Sequence, residues 1–396
     1  MAASAEAAQT TQSDPAQPCP SYSPTSFEAL SEVTHLPDPF LYATGQRATS
    51  LTQWQCVRAL TKAQFEHWEL GPIPSAPAVV VGSVADKQIS VQTGTTDKQI
   101  QFTAKVDMPT SGEAPYPAII RLSKYGLDTR LLNDAGVAVI TFDNSELAEQ
   151  KNGQSRGRGK FYDLFGADHP AGAMTAWSWG LSRIIDVIDK TDQHLIDRSR
   201  IGVTGCSRYG KGAIVAGAFD ERLVLTIAQE SGSGGAASWR ISDHQQAQGQ
   251  NVQTQRQIVT ENVWFRDNFK QFSGHTNKLP VDHHQLMGLI APRGLLVLEN
   301  TSMEWLGNAS TFLTSVVAKT IWLALGVPAN IGITQTGGHS HCHLPDSQLP
   351  DVKHFIDRFL LEKAVNPSEI LKTDGNYPTS PEDWQKWTVP TLKRID

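Results

Sequence analysis

The chain has 396 residues, 39% hydrophobic and 19% charged, enough for one large α/β domain or two smaller ones. Its formal net charge of −6 gives no general attraction to nucleic acid. It holds no apolar run of about 18 residues, so no membrane-spanning helix is expected.

Residues 1–26 are rich in Ala, Gln, Ser, Thr and Pro and read as a tail or linker remnant. They lack the apolar core of a signal peptide, so the chain is either cytosolic or a mature form. Further on, "APAVVVGSV" (76–84), "ISVQTG" (89–94) and "KQIQFTAKVDMP" (98–109) predict antiparallel strands, being β-branched and bounded by Gly, Pro or Asp. "YPAIIRLS" and "GVAVITFD" are continuous apolar runs, as buried strands require. "AGAMTAWSWGLSRIIDVIDK" places Met174, Trp177, Leu181, Ile184, Ile185 and Ile188 on one helical face. "RIGVTGCS" is another buried strand, followed by a helix of small residues. "LVLTIAQES" and "RGLLVLEN" continue the strand series, and "NASTFLTSVVAKTIWLALG" is a helix. "NIGITQTGG" is the last strand, and "SQLPDVKHFIDRFLLEK" holds the closing helix. Strands alternating with helices imply an α/β fold: a three-layer sandwich with a mostly parallel central sheet and antiparallel N-terminal strands. No linker interrupts the middle, so 27–396 reads as one catalytic domain. The polar segments 144–170 and 232–293 read as insertions over the strand ends, where loops carry function.

At one strand-to-helix junction stands Gly205-Cys206-Ser207-Arg208-Tyr209-Gly210, one residue longer than the G-x-S-x-G elbow of α/β-hydrolases. A serine in such a turn is often only a helix cap. As a nucleophile it needs a base within hydrogen-bond reach, and the base needs an orienting acid. The chain offers the order Ser, acid, His: Ser207, then Glu230 at the end of "LVLTIAQE", then the cluster "GGHSHCHLP". The alternating His339, His341 and His343 also suit a metal, but no nearby carboxylate or thiol pattern completes a site, so no metal is expected.

The four cysteines form no C-x-x-C pair, which weakens zinc-ribbon and thioredoxin readings. Cys206 precedes Ser207 and Cys342 follows His341. If Ser207 and His341 are partners, their neighbours come within the roughly 7 Å between Cα atoms that a disulfide needs. That pairing leaves Cys19 for Cys56 and selects His341 over its neighbours; the alternative is a buried free thiol at Cys206. Cysteines permitting two bridges, with sequons at Asn300 and Asn308, point to a secreted, extracellular glycoprotein.

Assembled, these residues resemble carbohydrate esterase family 15, the glucuronoyl esterases of the fungal type. The resemblance covers most of 28–380 and rests on the Gly205–Gly210 elbow and the Gly-His-x-His-Cys segment Gly338–Cys342. "SRGRGKFYDLFG" (155–166) and "VDHHQLMGLIAPRG" (281–294) are also similar to family segments. It implies an α/β-hydrolase fold and a serine esterase without metal or organic cofactor. Ser207 would be the nucleophile, His341 the base and acid, Glu230 the orienting acid, and Arg208 a donor to the oxyanion. The implied substrate is the ester between 4-O-methyl-glucuronic acid of glucuronoxylan and a lignin alcohol. The sugar would be held by Lys211, Gln253, Glu261 and Trp305, whose donors, acceptors and indole suit it. Taken singly these residues have plainer readings: Lys211 a solvated helix residue, Gln253 and Glu261 part of a water-facing stretch, Trp305 core. The chain departs from the family in two places. Some relatives have six cysteines, and Ser238 and Ser315 stand where a bridge across the insertion would be. The usual α/β-hydrolase acid follows the next strand, where Glu299 and Glu304 are available. A monomer is expected, with xylan–lignin esters as partners and neither nucleic acid nor membrane. The rival readings are an acetyl xylan esterase, a non-catalytic carbohydrate-binding protein and a metal-dependent hydrolase using the histidine cluster.

Overall fold

The computed structural model describes residues 19–42, 45–85, 87–365 and 368–393. Of the expected tail, residues 1–18 lie outside the described residues, and 19–26 run as coil. The first element is α1 (Leu51–Phe65), capped by the Ser50 side chain, which accepts from Gln53 N–H. Trp54, Val57 and Phe65 face inward at helical spacing, and α1 runs on into a π-turn, Glu66–Leu70. Three strands follow, β1 (Val79–Val84), β2 (Gln88–Gly94) and β3 (Gln99–Asp107), paired antiparallel. β3 alternates exposed and buried residues along its length, the pattern of a sheet with one face packed and one face wet.

The next segments are β4 (Tyr116–Leu122), α2 (Thr129–Asp134), β5 (Ala138–Phe142), α3 (Lys160–Phe165), α4 (Ala173–Lys190), β6 (Ile196–Cys206), α5 (Arg208–Phe219) and β7 (Leu223–Gln229). Then come α6 (Trp239–Ala247), α7 (Gln255–Glu261), α8 (His283–Gly288), β8 (Gly294–Glu299), α9 (Asn308–Ala324), β9 (Ile331–Gln335), α10 (Leu349–Phe359), β10 (Leu371–Thr373) and α11 (Pro381–Trp384). All ten strands form one sheet in the order β1-β2-β3-β5-β4-β6-β7-β8-β9-β10, parallel from β5 to β10. This is the α/β-hydrolase arrangement expected from the alternation of strands and helices. Strands β4, β7 and β8 are buried on both faces, which is why they read as unbroken apolar runs. The larger core cluster joins α4 and α5 to one face of the sheet, and a smaller one seats α10 on the other.

Three features depart from the expectations. The sequence reading passed over α1 and over β10, a three-residue strand at the sheet edge. The segment 232–293 is not a polar overlay: Trp239, Trp264, Phe265, Phe269 and Phe272 are all buried in the larger cluster. Within it the stretch 244–262 does mainly face water, as expected: more than half of its residues are exposed, Glu261 among them, while Gln245, Val252, Thr254, Gln255, Ile258 and Asn262 are buried. Ser238 and Ser315 make no bridge, but Ser238 N–H donates to the Thr314 hydroxyl at 3.0 Å and its own hydroxyl donates to Asp282 at 2.9 Å.

Candidate active site

Strand β6 ends at Cys206 and α5 begins at Arg208, so the chain reverses on one residue, Ser207. Its backbone sits at φ 59°, ψ −127°, and its side chain makes no capping bond to the helix. The helix-cap reading therefore does not describe Ser207. A non-glycine residue in this region costs on the order of 1–3 kcal/mol and persists only where its surroundings enforce it. Two glycines enforce it here. A Cβ on Gly205 would come within 2.4 Å of the Tyr209 carbonyl, and one on Gly210 within 2.7 Å of the Gln229 carbonyl. Ser207 N–H donates to that same Gln229 carbonyl at 2.9 Å, fixing the turn against the end of β7.

Glu230 follows β7 immediately, at φ 46°, with its N–H on Leu298 O of β8 at 2.6 Å. Its carboxylate is buried and bonded on both oxygens: Oε2 accepts from His341 Nδ1 at 2.6 Å, and Oε1 accepts from Cys342 N–H at 2.9 Å. The proton on Nδ1 leaves Nε2 as the basic nitrogen of His341. The other two histidines of the cluster differ. His339 Nε2 is spent on Thr336 O at 2.9 Å, and His343 is exposed. Cys342, at φ 66°, is bridged to Cys206 with Cα atoms 5.7 Å apart, so the Ser207 turn and the histidine loop are covalently joined. The second bridge, Cys19–Cys56, ties the first described residue to α1. One cluster among the described residues has metal-ligand spacing, Cys206, His341 and Cys342, and both of its sulfurs are in the disulfide. Such a set offers no thiolate to an ion.

Arg208 places its guanidinium 5.0 Å from the centre of the Trp264 ring, a cation–π contact. Trp264 is in turn fixed by Gln150, whose Oε1 accepts from the indole N–H at 2.8 Å and whose Nε2 donates to the Tyr209 hydroxyl at 3.0 Å. Asn262 Nδ2 completes the knot on Gln150 O at 2.9 Å. None of Gln150, Trp264 and Asn262 was picked out from the sequence. The only signal available was their place in the two long insertions.

The four expected sugar-binding residues divide into one buried member and a surface group. Gln253 Nε2 donates to Glu261 Oε2 at 3.1 Å, and Gln253 N–H donates to Trp305 O at 3.0 Å. Trp305 is half-buried rather than core, with its ring edge-on to His341 at 5.1 Å. Lys211 is not a solvated helix residue. It is buried, and its Nζ donates to Ser231 O and Ser233 O at 2.5 and 2.7 Å. Burial pushes its ammonium down to about 8 against the pull of Glu299 and Glu261. Of the two alternative acids, Glu304 is exposed and accepts from Asn251 N–H at 3.2 Å. Glu299 is buried and accepts from Gly232 N–H at 3.0 Å. Burial pushes its carboxyl up to about 8, and the neighbouring Glu230 charge adds to the rise. Neither touches His341 by hydrogen bond; Glu230 does. Asn300, the first sequon, is buried with its amide on His339 O at 2.9 Å, so a glycan there would have to displace that bond.

A family model described as glucuronyl esterase of fungi matches residues 89–326. A 4-O-methyl-glucuronoyl methylesterase from Podospora anserina is 45% identical over 90% of this chain and 74% of its own length. The glucuronoyl esterase catalytic domain from Hypocrea jecorina superposes with a TM-score of 0.87 at 42% identity, covering 92% of this chain and 99% of that one. A serine-to-alanine mutant of a glucuronoyl esterase from Sporotrichum thermophile, in complex with methyl 4-O-methyl-β-D-glucopyranuronate, gives the same TM-score at 43% identity, covering 92% of this chain and 97% of that one. The matched region runs from β2 through α9 and takes in the elbow and Glu230, and the curated relatives extend the likeness over the histidine loop. The chain thus belongs to the fungal glucuronyl esterase family.

Proposed function

We propose that this protein hydrolyses esters of 4-O-methyl-glucuronic acid by two-step acyl transfer through Ser207. The observation that carries the reading is the His341 Nδ1–Glu230 Oε2 hydrogen bond at 2.6 Å, in a loop stapled through Cys342 to the residue before Ser207. His341 Nε2 takes the Ser207 proton as Oγ attacks the uronate carbonyl. The oxyanion is held by Arg208 and by backbone N–H groups at the start of α5, where the helix dipole favours negative charge. The alcohol leaves with the proton from His341. Water, activated by the same nitrogen, then frees the acid and restores the serine. Glu230 holds the ring in the productive tautomer throughout.

Gln253, Glu261 and Trp305 form the sugar side of the site, with Lys211 beneath, its ammonium also under the pull of Glu261. The natural ester is that of glucuronoxylan with lignin alcohols. The names of the relatives and the ligand of the Sporotrichum complex support the acyl half of this assignment. An extracellular site of action is supported by the two disulfides; no described helix is long and apolar enough to cross a membrane.

The test is hydrolysis of benzyl glucuronate beside an acetylated xylo-oligosaccharide, for wild type and Ser207→Ala. The uronate ester should be cleaved, the acetyl ester left, and the variant should lose most activity, since nucleophile and base act as a unit. Acetate release would make this an acetyl xylan esterase, and a Ser207→Ala enzyme with wild-type activity would sink the mechanism.

A further inference from the structure

The order of the strands divides the site into two sides. Strand β6, which carries Ser207, lies between β4 and β7. The group Gln253, Glu261 and Trp305 belongs to the β7–β8 side, because Trp305 follows β8 and Gln253 is tied to its carbonyl. The opposite side is formed by the turn after β4, Ser123-Lys124-Tyr125-Gly126. This turn adjoins the elbow directly: a Cβ on Gly126 would lie 3.5 Å from Cys206 N.

Tyr125 is 55% exposed, one of five large hydrophobic residues left exposed among the described residues. Its ring is held parallel to that of Tyr209, interplanar angle 11°, centroids 6.4 Å apart. Tyr209 is itself fixed by Gln150 through its hydroxyl, and its ring lies 5.9 Å from that of the buried Trp177. The Lys124 ammonium stands 5.7 Å from the Tyr125 centroid. Beyond Lys124 the surface opens into a groove of about 430 Å³ walled by Thr103, Lys105, Thr141 and Glu146. The β4 side of the Ser207 turn therefore offers a propped, exposed aromatic ring, and its neighbour Lys124 lines a groove.

An ester carries its acyl and alkoxy substituents on different sides of the carbonyl carbon. With the uronate held on the β8 side, as the proposed function has it, the alkoxy group points to the β4 side. We propose that Tyr125, propped by Tyr209, is a platform for the alcohol half of the substrate, and that it selects alcohols bearing an aromatic ring. Aromatic pairs contribute enough beyond area burial to shift affinity by about twofold to tenfold.

The test compares methyl glucuronate with benzyl glucuronate, whose alcohols are of similar acidity, in wild type, Tyr125→Ala and Tyr125→Phe. The Ala variant should lose about threefold to tenfold in kcat/KM for the benzyl ester, mainly through KM, and keep its rate on the methyl ester. The Phe variant should retain the benzyl preference, since the ring remains. Equal losses on both esters would give Tyr125 a purely structural role, and no change on either would empty the platform of function; both results overturn the proposal and leave the esterase reading standing. Failure of the wild type to cleave either ester overturns both.

Discussion

Ser207, Glu230 and Cys342 are non-glycine residues at positive φ, and so is Ser123 at the end of β4; Glu362 is the only other described example. Strain of this kind persists only where surrounding contacts fix it, so its concentration on one rim marks the site independently of any motif. Glu230 shows how the strain is used. Its turned backbone hands the N–H to β8 and brings both carboxylate oxygens to the histidine loop. Glu299 sits one strand away, in the position that α/β-hydrolases commonly give to the acid, yet its burial favours the neutral form. This has a consequence for stability. The Glu299 carboxyl titrates near 4.5 when unfolded and at about 8 when folded, so the folded chain holds the extra proton between those values. Its contribution is complete below about pH 4.5 and is lost as pH rises toward 8, by at most about 1.4 kcal/mol per pH unit. Melting temperatures at pH 5 and pH 8 should therefore fall less in Glu299→Gln than in wild type. Parallel declines would remove Glu299 from the account.

The two long insertions contribute to the core and to the site together. Gln150 from the first and Trp264 from the second meet at one amide, and Arg208 rests on the indole that this amide holds. A Gln150→Leu enzyme leaves the Trp264 and Tyr209 hydrogen-bonding groups unpaired and frees the surface on which Arg208 lies. We expect kcat to fall by about tenfold or more with KM nearly unchanged, less than the roughly 100- to 1,000-fold expected on removing an oxyanion donor outright. A kcat equal to wild type would show that Arg208 is positioned by other contacts. Much of the parallel sheet is legible in the sequence, because buried strands must be unbroken apolar runs: "LVLTIAQES" and "RGLLVLEN" contain β7 and β8, each overrunning its strand by two residues in all. The site was legible where chemistry is local, in the elbow and the histidine segment. It was illegible where partners are far apart in sequence and the pattern is aperiodic, as with Gln150 and Trp264, 114 residues apart. The plainer reading of Lys211, a solvated helix residue, fails for a related reason. A lysine on a helix looks solvated until the carbonyls of Ser231 and Ser233 are seen to accept its hydrogen bonds. By contrast α1 carried a readable signal in Trp54, Val57 and Phe65, at the spacing of an amphipathic helix.

Across the whole molecule the two disulfides differ in reach. Cys19–Cys56 closes 37 residues at the N-terminal edge, and Cys206–Cys342 closes 136 across the catalytic rim. In the chain-entropy picture each stabilises the fold by a few kcal/mol, about 4 for the shorter loop and about 5 for the longer. Their effects on rate should separate. Replacing both Cys19 and Cys56 by alanine should lower the melting temperature and leave kcat close to wild type. Replacing both Cys206 and Cys342 should lower the melting temperature and also collapse kcat, because the histidine loop loses its attachment to the nucleophile turn. Equal kcat in the two double variants would show that the Glu230 hydrogen bonds alone hold the loop. The unequal loops also make one order of pairing the simpler one for a chain being made from its N-terminus. When Cys206 is synthesised, its partner is still 136 residues away, and the thiols already present are Cys19 and Cys56. An early bridge between those two withdraws both from exchange and keeps Cys206 free for Cys342. Formed first, the short staple would protect the pairing of a site to which it contributes no atom.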